Sequence, residues 1–294
     1  MKLLNFGSLN LDYTYQVDHF VRPGETEASV SRTLTCGGKG LNQSVALAKS
    51  GAQVFHAGAV GASDGGILID TLNKAGVNTD YVLRLEDIPS GSAFIQVVPS
   101  GENSIVLDGG ANQAITKEYI DEVLAHFIPG DWLVLQNEIS EIPYLIEKAH
   151  DAGMIIALNP SPMNRSVLKM PLGYVDCFLL NEEEAAILSD HASDPLSELA
   201  KRFPSALILI TLGSKGSIAV KDGRTCRQAA YPADATDTVG AGDTFAGFLI
   251  GSLSEGVPLQ DAMRLASKAA AISVTRPGAS SSIPELKEVL ASLS

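Results

Sequence analysis

Basic residues, cysteines and long apolar runs are all scarce in this chain, and each scarcity closes off a class of function. Its 21 Lys and Arg are outnumbered by 34 Asp and Glu, for a formal net charge of −13. Nucleic acids and anionic membranes demand a basic face, so neither is an expected partner. The longest apolar stretches, such as Ala206-Leu207-Ile208-Leu209-Ile210, are strand-sized and too short to span a bilayer. Lys2-Leu3-Leu4-Asn5-Phe6 is too brief for a signal-peptide core, and a cytoplasmic protein is expected. The three cysteines, Cys36, Cys177 and Cys226, are widely spaced and odd in number, which predicts reduced thiols. The five histidines lack zinc-ligand spacing.

Two nucleotide signatures are also missing. A dinucleotide turn after the first strand would need glycines where Leu9 and Asp12 stand. Gly37-Gly38-Lys39-Gly40 lacks the earlier glycine of a P-loop, Thr33 being there instead, and no Ser or Thr follows the lysine. An NAD-linked dehydrogenase and a Walker-type nucleotide site are thereby excluded.

What remains is an ordinary globular composition, 45% apolar over 294 residues, with enough chain for a large core. Apolar runs alternate with helix-period segments. The spacing predicts strands over 2–6, 54–60, 131–136, 154–158, 175–180 and 207–211. Helices are expected over 42–51, 65–75, 141–152, 182–189 and 196–203, then 241–254, 259–274 and 284–293. That order implies a three-layer α/β/α unit over 1–294 with a mostly parallel sheet. Extended segments at 10–17, 27–35, 92–99 and 103–107 interrupt it. They predict a separate small sheet, inserted at about 10–36 and 92–109, able to close over a ligand or pair with a second copy.

The chemistry concentrates in Asp237-Thr238-Val239-Gly240-Ala241-Gly242-Asp243-Thr244-Phe245, an acid, a small-residue turn and a second acid entering an apolar helix. Backbone N–H groups converging at such a start favour negative charge. A carboxylate beside them can bind a cation or take a proton from a hydroxyl, the equipment of phosphoryl transfer to an alcohol. Asn10 and Asp12, two apart on a strand, present an amide and an acid on one face, a fit for vicinal sugar hydroxyls; a local turn is the alternative. Gly38, Lys39 and Asn42 sit where glycines let a ligand approach the backbone. Glu138 follows a strand end, where open parallel sheets collect ligands. Asn181 and Glu184 also follow a strand, although helix-dipole capping explains that acidic run without any ligand and is the preferred reading of those residues alone. Thr211, Gly213, Ser214 and Gly216 form a turn that suits phosphates or a plain hairpin.

In this order, the segments 7–12, 23–26, 37–43, 159–162, 181–185, 211–213 and 237–245 resemble the ribokinase (PfkB-type) family of carbohydrate kinases. The resemblance runs from Asn5 to Pro284. It implies a ribokinase-like fold with a β-lid and ATP-dependent phosphorylation of a sugar's primary hydroxyl, ribose first. Deoxyribose, another sugar or a nucleoside are alternative substrates, and a non-catalytic sugar-binding protein is the rival outside enzymes. Asp243 would be the general base, with Gly240, Ala241 and Gly242 completing an anion hole. Asn10, Asp12, Gly38, Lys39, Asn42 and Glu138 match the family's sugar positions. Asn181, Thr211, Gly213, Ser214, Gly216, Gly242 and Ser267 fall on the nucleotide side. Glu184 would reach Mg²⁺ through water. A K⁺ site would take Asp237, Val239, Ser273, Arg276, Gly278 and Ser282, and the lid would build a homodimer. Leu41 and Ser267 stand where the family usually carries Ala and His, and Tyr13, Tyr15, Ile95 and Val106 are expected to shape the sugar pocket.

Overall fold

Strands that are apolar on both sides must be covered on both sides, and that requirement sets the architecture. Residues 1–293 are described by a computed structural model. In chain order, β1 (Leu3–Phe6) leads into β2 (Asn10–Gln16), β3 (Ser31–Gly37) and α1 (Lys39–Lys49). There follow β4 (Val54–Gly61), α2 (Gly66–Lys74), β5 (Asn78–Leu85), β6 (Gly91–Val97) and β7 (Asn103–Asp108). The middle holds α3 (Lys117–Leu124), β8 (Trp132–Leu135), α4 (Ile142–Asp151), β9 (Ile155–Leu158), β10 (Cys177–Asn181), α5 (Glu182–Leu188) and α6 (Pro195–Arg202). Last come β11 (Leu207–Thr211), β12 (Ser217–Lys221), β13 (Arg224–Gln228), α7 (Ala241–Ser254), α8 (Leu259–Ser273) and α9 (Leu286–Ala291).

Nine strands form one sheet, ordered β13-β12-β11-β10-β9-β8-β1-β4-β5. Every neighbouring pair from β11 to β5 is parallel, while β12 and β13 close the other edge as antiparallel hairpins. Alternation divides the core in two. Leu3, Trp132, Val134, Leu207 and Leu209 face α1, α2, α7, α8 and α9, whereas Leu4, Phe6, Leu133, Leu135, Ile208 and Ile210 face α3 to α6. No helix among the described residues is long and apolar enough to cross a membrane. All three cysteines are free.

The second sheet, β3-β2-β6-β7, is the expected lid. Its register puts Leu34, Tyr13, Phe94 and Val106 in one cross-strand row, with Tyr13 and Phe94 stacked at 5.4 Å. Asp12, Thr35, Ala93 and Leu107 occupy the opposite face. This corrects one expectation: Tyr13, Tyr15 and Val106 point away from Asp12 and cannot shape its pocket. Ile95, paired with Thr14 and Ile105, is on the Asp12 side.

Boundaries shifted where local chemistry outweighed periodicity. Helix α1 begins at Lys39 rather than 42, because Gly38 adopts φ 91° and turns the chain in directly from β3. Strand β3 starts at Ser31, later than 27. Four elements went unpredicted: β5, α3, β12 and β13. Asp80 and Arg84 mask the edge strand β5, and β12 and β13 are five residues each. Helix α3 did carry a signal, since Thr116 accepts the Tyr119 N–H as its cap and Tyr119, Ile120, Val123 and Leu124 are buried at helical spacing.

Candidate active site

The carboxyl ends of the parallel strands converge on one cleft. From β1 the chain runs through Ser8, Asn10 and Asp12; from β8 come Gln136 and Glu138; from β9, β10 and β11 come Asn159, Asn181 and Thr211. The missing wall is the start of α7, which must lie close against α1 to reach them. Glycines permit it: a Cβ on Gly247 would run into Ala46, and one on Gly251 into the Ser50 hydroxyl. Asp243, three residues into α7 and only 6% exposed, thereby meets α1. Its Oδ1 accepts the Gln43 Nε2 at 3.0 Å and its Oδ2 the Asn42 Nδ2 at 3.1 Å.

Asp243 connects two halves. On the lid side, Glu138 accepts the Ser8 hydroxyl and, at 2.9 Å, the backbone N–H of Lys39. Burial and the neighbouring Glu138 push the Asp12 carboxyl up to about 7. Burial also raises Glu138, against the opposing pull of Ser8 and Lys39. Gly37 has to be a glycine, since a Cβ there would fall on the Asp12 carboxylate. Buried Asn112 donates to Asn10 Oδ1 at 2.7 Å and accepts from the Leu9 N–H. Asn10 is thus fixed with its oxygen turned to Asn112 and its amide hydrogens left for a ligand acceptor. Asp12 supplies the complementary acceptor, so the pair suits adjacent hydroxyls.

On the other side, a cavity of ≈ 140 Å³ touches Lys39, Asn181, Glu184, Thr211, Gly242 and Asp243. It shares Thr211, Gly242 and Phe245 with a larger cavity of ≈ 640 Å³, which Gly213, Ser214, Gly216 and Ser267 also line. The predicted nucleotide residues therefore line two adjoining cavities. Gly216, at φ 100°, takes a conformation that side chains avoid. Asn181 and Glu184 form a reciprocal capping box, and Glu184 is 4% exposed. Asp237 Oδ2 accepts the Gly278 N–H at 2.9 Å, and its Oδ1 accepts the Val239 N–H at 3.0 Å. This brings the turn before α7 to the loop after α8. The Arg276 side chain is turned away into an ion pair with Glu288. At the helix start the Ala241 N–H reaches Thr238 O at 3.3 Å, while the N–H groups of Gly242 and Asp243 have no acceptor within their own helix. Leu41 is fully buried in the core, so its bulk goes inward.

Sequence reasoning missed Ser8, Gln43, Asn112, Gln136 and Asn159 as site residues. Gln43, Gln136 and Asn159 lay inside segments already singled out, and their signal was adjacency to a strand end or a glycine turn. Asn112 had none. Outside the cleft, His19 Nε2 sits 3.0 Å from both Glu25 and Glu27 in the β2–β3 connection, a grouping its spacing did not announce.

Fold and cleft together define an α/β phosphotransferase with a lid over its acceptor side. A family model described as pfkB family carbohydrate kinase matches residues 1–286. The chain is 35% identical over 293 residues to the ribokinase of Haemophilus influenzae, covering 97% of this chain and 95% of the relative. Its fold matches the ribokinase of Cryptococcus neoformans var. grubii in complex with ADP, at TM-score 0.88 and 33% identity over 99% of both chains. Arabidopsis thaliana ribokinase complexed with ribose and ATP gives TM-score 0.85 at 29% identity, covering 98% of this chain and 97% of that one. The chain belongs to the pfkB family of carbohydrate kinases.

Proposed function

We propose that this protein, acting as one unit over 1–294, transfers the terminal phosphoryl group of ATP to the primary hydroxyl of D-ribose, giving ribose 5-phosphate. The observation that carries the proposal is the position of Asp243, buried between the Asp12–Glu138 acids and the cavity lined by Thr211, Ser214 and Ser267. A hydroxyl held by Asn10, Asp12, Gly38, Lys39, Asn42 and Glu138 gives its proton to Asp243 as it attacks. The N–H groups at the start of α7, from Gly240 to Asp243, meet the charge that develops on the transferring group. The ADP complex of the Cryptococcus neoformans relative and the ribose-and-ATP complex of the Arabidopsis thaliana relative support this pairing of substrates.

Two cations fit the residues present. Glu184 is buried at the edge of the smaller cavity with one carboxylate oxygen committed to Asn181, a geometry suited to holding Mg²⁺ through water. When bound, Mg²⁺ neutralises charge on the phosphates. The Asp237 carboxylate, the carbonyls of Val239, Ser273, Arg276 and Gly278, and the Ser282 hydroxyl are an all-oxygen donor set suited to K⁺. A cation there would stiffen the turn that carries the helix-start donors. Substrate turnover with Mg·ATP and K⁺ across pentoses, deoxyribose, hexoses and nucleosides tests the proposal. Ribose should show the highest kcat/KM, and an absence of ATP-dependent pentose phosphate would overturn it.

Sugar binding should depend on pH through Asp12. Only its ionised form accepts from two hydroxyls, so affinity strengthens as pH rises through about 7. One unit below that value, ribose Kd should be about tenfold weaker, as calorimetry would register. A pH-independent Kd between 6 and 8 would remove Asp12 from the contact.

The lid also supports a homodimer. Leu34, Phe94 and Val106 are exposed in one row on its outer face, a patch suited to a second copy. Phe94→Asp is expected to convert dimer to monomer in sedimentation, and an unchanged mass would place the interface elsewhere.

A further inference from the structure

The Asp243 carboxylate is the visible end of a buried chain of amides. Gln43, 1% exposed, donates one Nε2 hydrogen to Asp243 and the other to Asn159 Oδ1 at 3.2 Å. Asn159 is itself anchored, donating to Leu179 O at 2.9 Å. The Gln43 Oε1 accepts from Gln136 Nε2 at 2.7 Å. Gln136, equally buried, also donates to Asn5 Oδ1 at 3.0 Å. Asn5 passes its own hydrogens to Gly40 O and to Ser44 Oγ at 2.7 and 2.8 Å. The Ser44 hydroxyl completes the run at His56 Nδ1, 2.8 Å away. Burial holds His56 down to about 4, so it stays neutral and keeps accepting.

Each member of this chain has its direction set by the next. Gln43 cannot turn its amide over without facing oxygen to oxygen at Asp243 and Asn159, and nitrogen to nitrogen at Gln136. Asn42 differs: its Oδ1 has no partner and its amide makes a single donor bond, to Asp243, so it can rotate or be taken over by a sugar, whereas Gln136, whose Oε1 is also unpartnered, is held by two donor bonds. The bond from Gln43 is the permanent one. Space for the relay is also specific, because a Cβ on Gly7 would collide with Gln136 Oε1.

We infer that Gln43, aimed by Gln136, is a positioning residue that fixes the Asp243 carboxylate in one orientation. Its permanent hydrogen bond stabilises the ionised carboxylate and leaves the remaining lone pairs for the acceptor hydroxyl. The charged groups around Asp243 are Glu138, Glu184 and Lys39, and none of them contacts Gln136 through a hydrogen bond. This inference rests on the phosphotransfer reading of Asp243.

The test uses Gln43→Met, Gln43→Glu and Gln136→Leu in the full chain. In each, kcat at neutral pH should fall about 10- to 100-fold while ribose Kd stays near wild type. The acidic limb of the kcat–pH profile should move up in Gln43→Met and further in Gln43→Glu, which sets a second acid against Asp243. Gln136→Leu should shift the limb as Gln43→Met does, and the double variant should add nothing to either single change. A merely structural role predicts lower thermal stability with an unmoved limb, and that result overturns the inference. Titration of the Asp243 carboxyl by ¹³C NMR reads the same shift without turnover. If wild type phosphorylates no sugar, the proposed function fails while this readout still decides the inference. An identical Asp243 titration in wild type and Gln136→Leu would end it.

Discussion

Asp243→Asn should lower kcat by about 10²- to 10⁴-fold, the usual contribution of a general base, while sugar and nucleotide affinities change little. The substitution is nearly isosteric, and the site has a way to absorb it. Asn42 and Gln43 both point N–H groups at the carboxylate. An amide at 243 would turn its oxygen to Gln43, whose direction is locked. Its nitrogen would then face Asn42, whose unpartnered Oδ1 can swing round to accept. The variant should therefore fold normally and fail at the proton. Burst and steady-state assays of ribose phosphorylation, beside calorimetric binding, check the split. Wild-type turnover in Asp243→Asn would remove this residue from the chemistry.

Gly247→Ala should cost about 1–3 kcal/mol of stability, and activity with it. The added methyl would meet the Ala46 backbone, so α7 and α1 must move apart. That separation lengthens the Asn42 and Gln43 bonds one turn earlier in α7, at Asp243. A substitution with no contact to any substrate should thus reduce kcat. Gly66→Ala is the control. It adds the same methyl to a helix where nothing lies within 4 Å, and it should be neutral or stabilising by up to about 1 kcal/mol. Urea melts of the two variants should diverge, and equal stabilities would show that the α1–α7 seam has slack.

Much of this was legible in the sequence. Apolar runs such as 207–210 could only be interior parallel strands, and Gly240-Ala241-Gly242-Asp243 announced a charged helix start. The lid was readable because alternating, polar-rich segments do not fit a doubly covered sheet. What stayed hidden depends on pairing between distant elements. β5 and β13 are edge strands whose polar residues erase the alternation, and β12, between β11 and β13, is only five residues long; the neighbouring strand makes them strands. Asn112 looks like any loop asparagine until folding sets it against Leu9 and Asn10. Gln43 and Gln136 were seen in their segments, but an amide's direction is fixed by its partners and leaves no trace in spacing. Tyr13 and Val106 were misread because facing is a matter of parity relative to Asp12, which the register alone reveals.

The contacts of Asp243 with Asn42 and Gln43 close loops of 201 and 200 residues. A ribosome releases α1 long before it has made Asp243, the residue proposed to take the proton. Until α7 emerges, the amides of Asn42 and Gln43 on α1 have no acid to hold. Synthesis order thus leaves the cleft without its buried carboxylate until most of the molecule has been made.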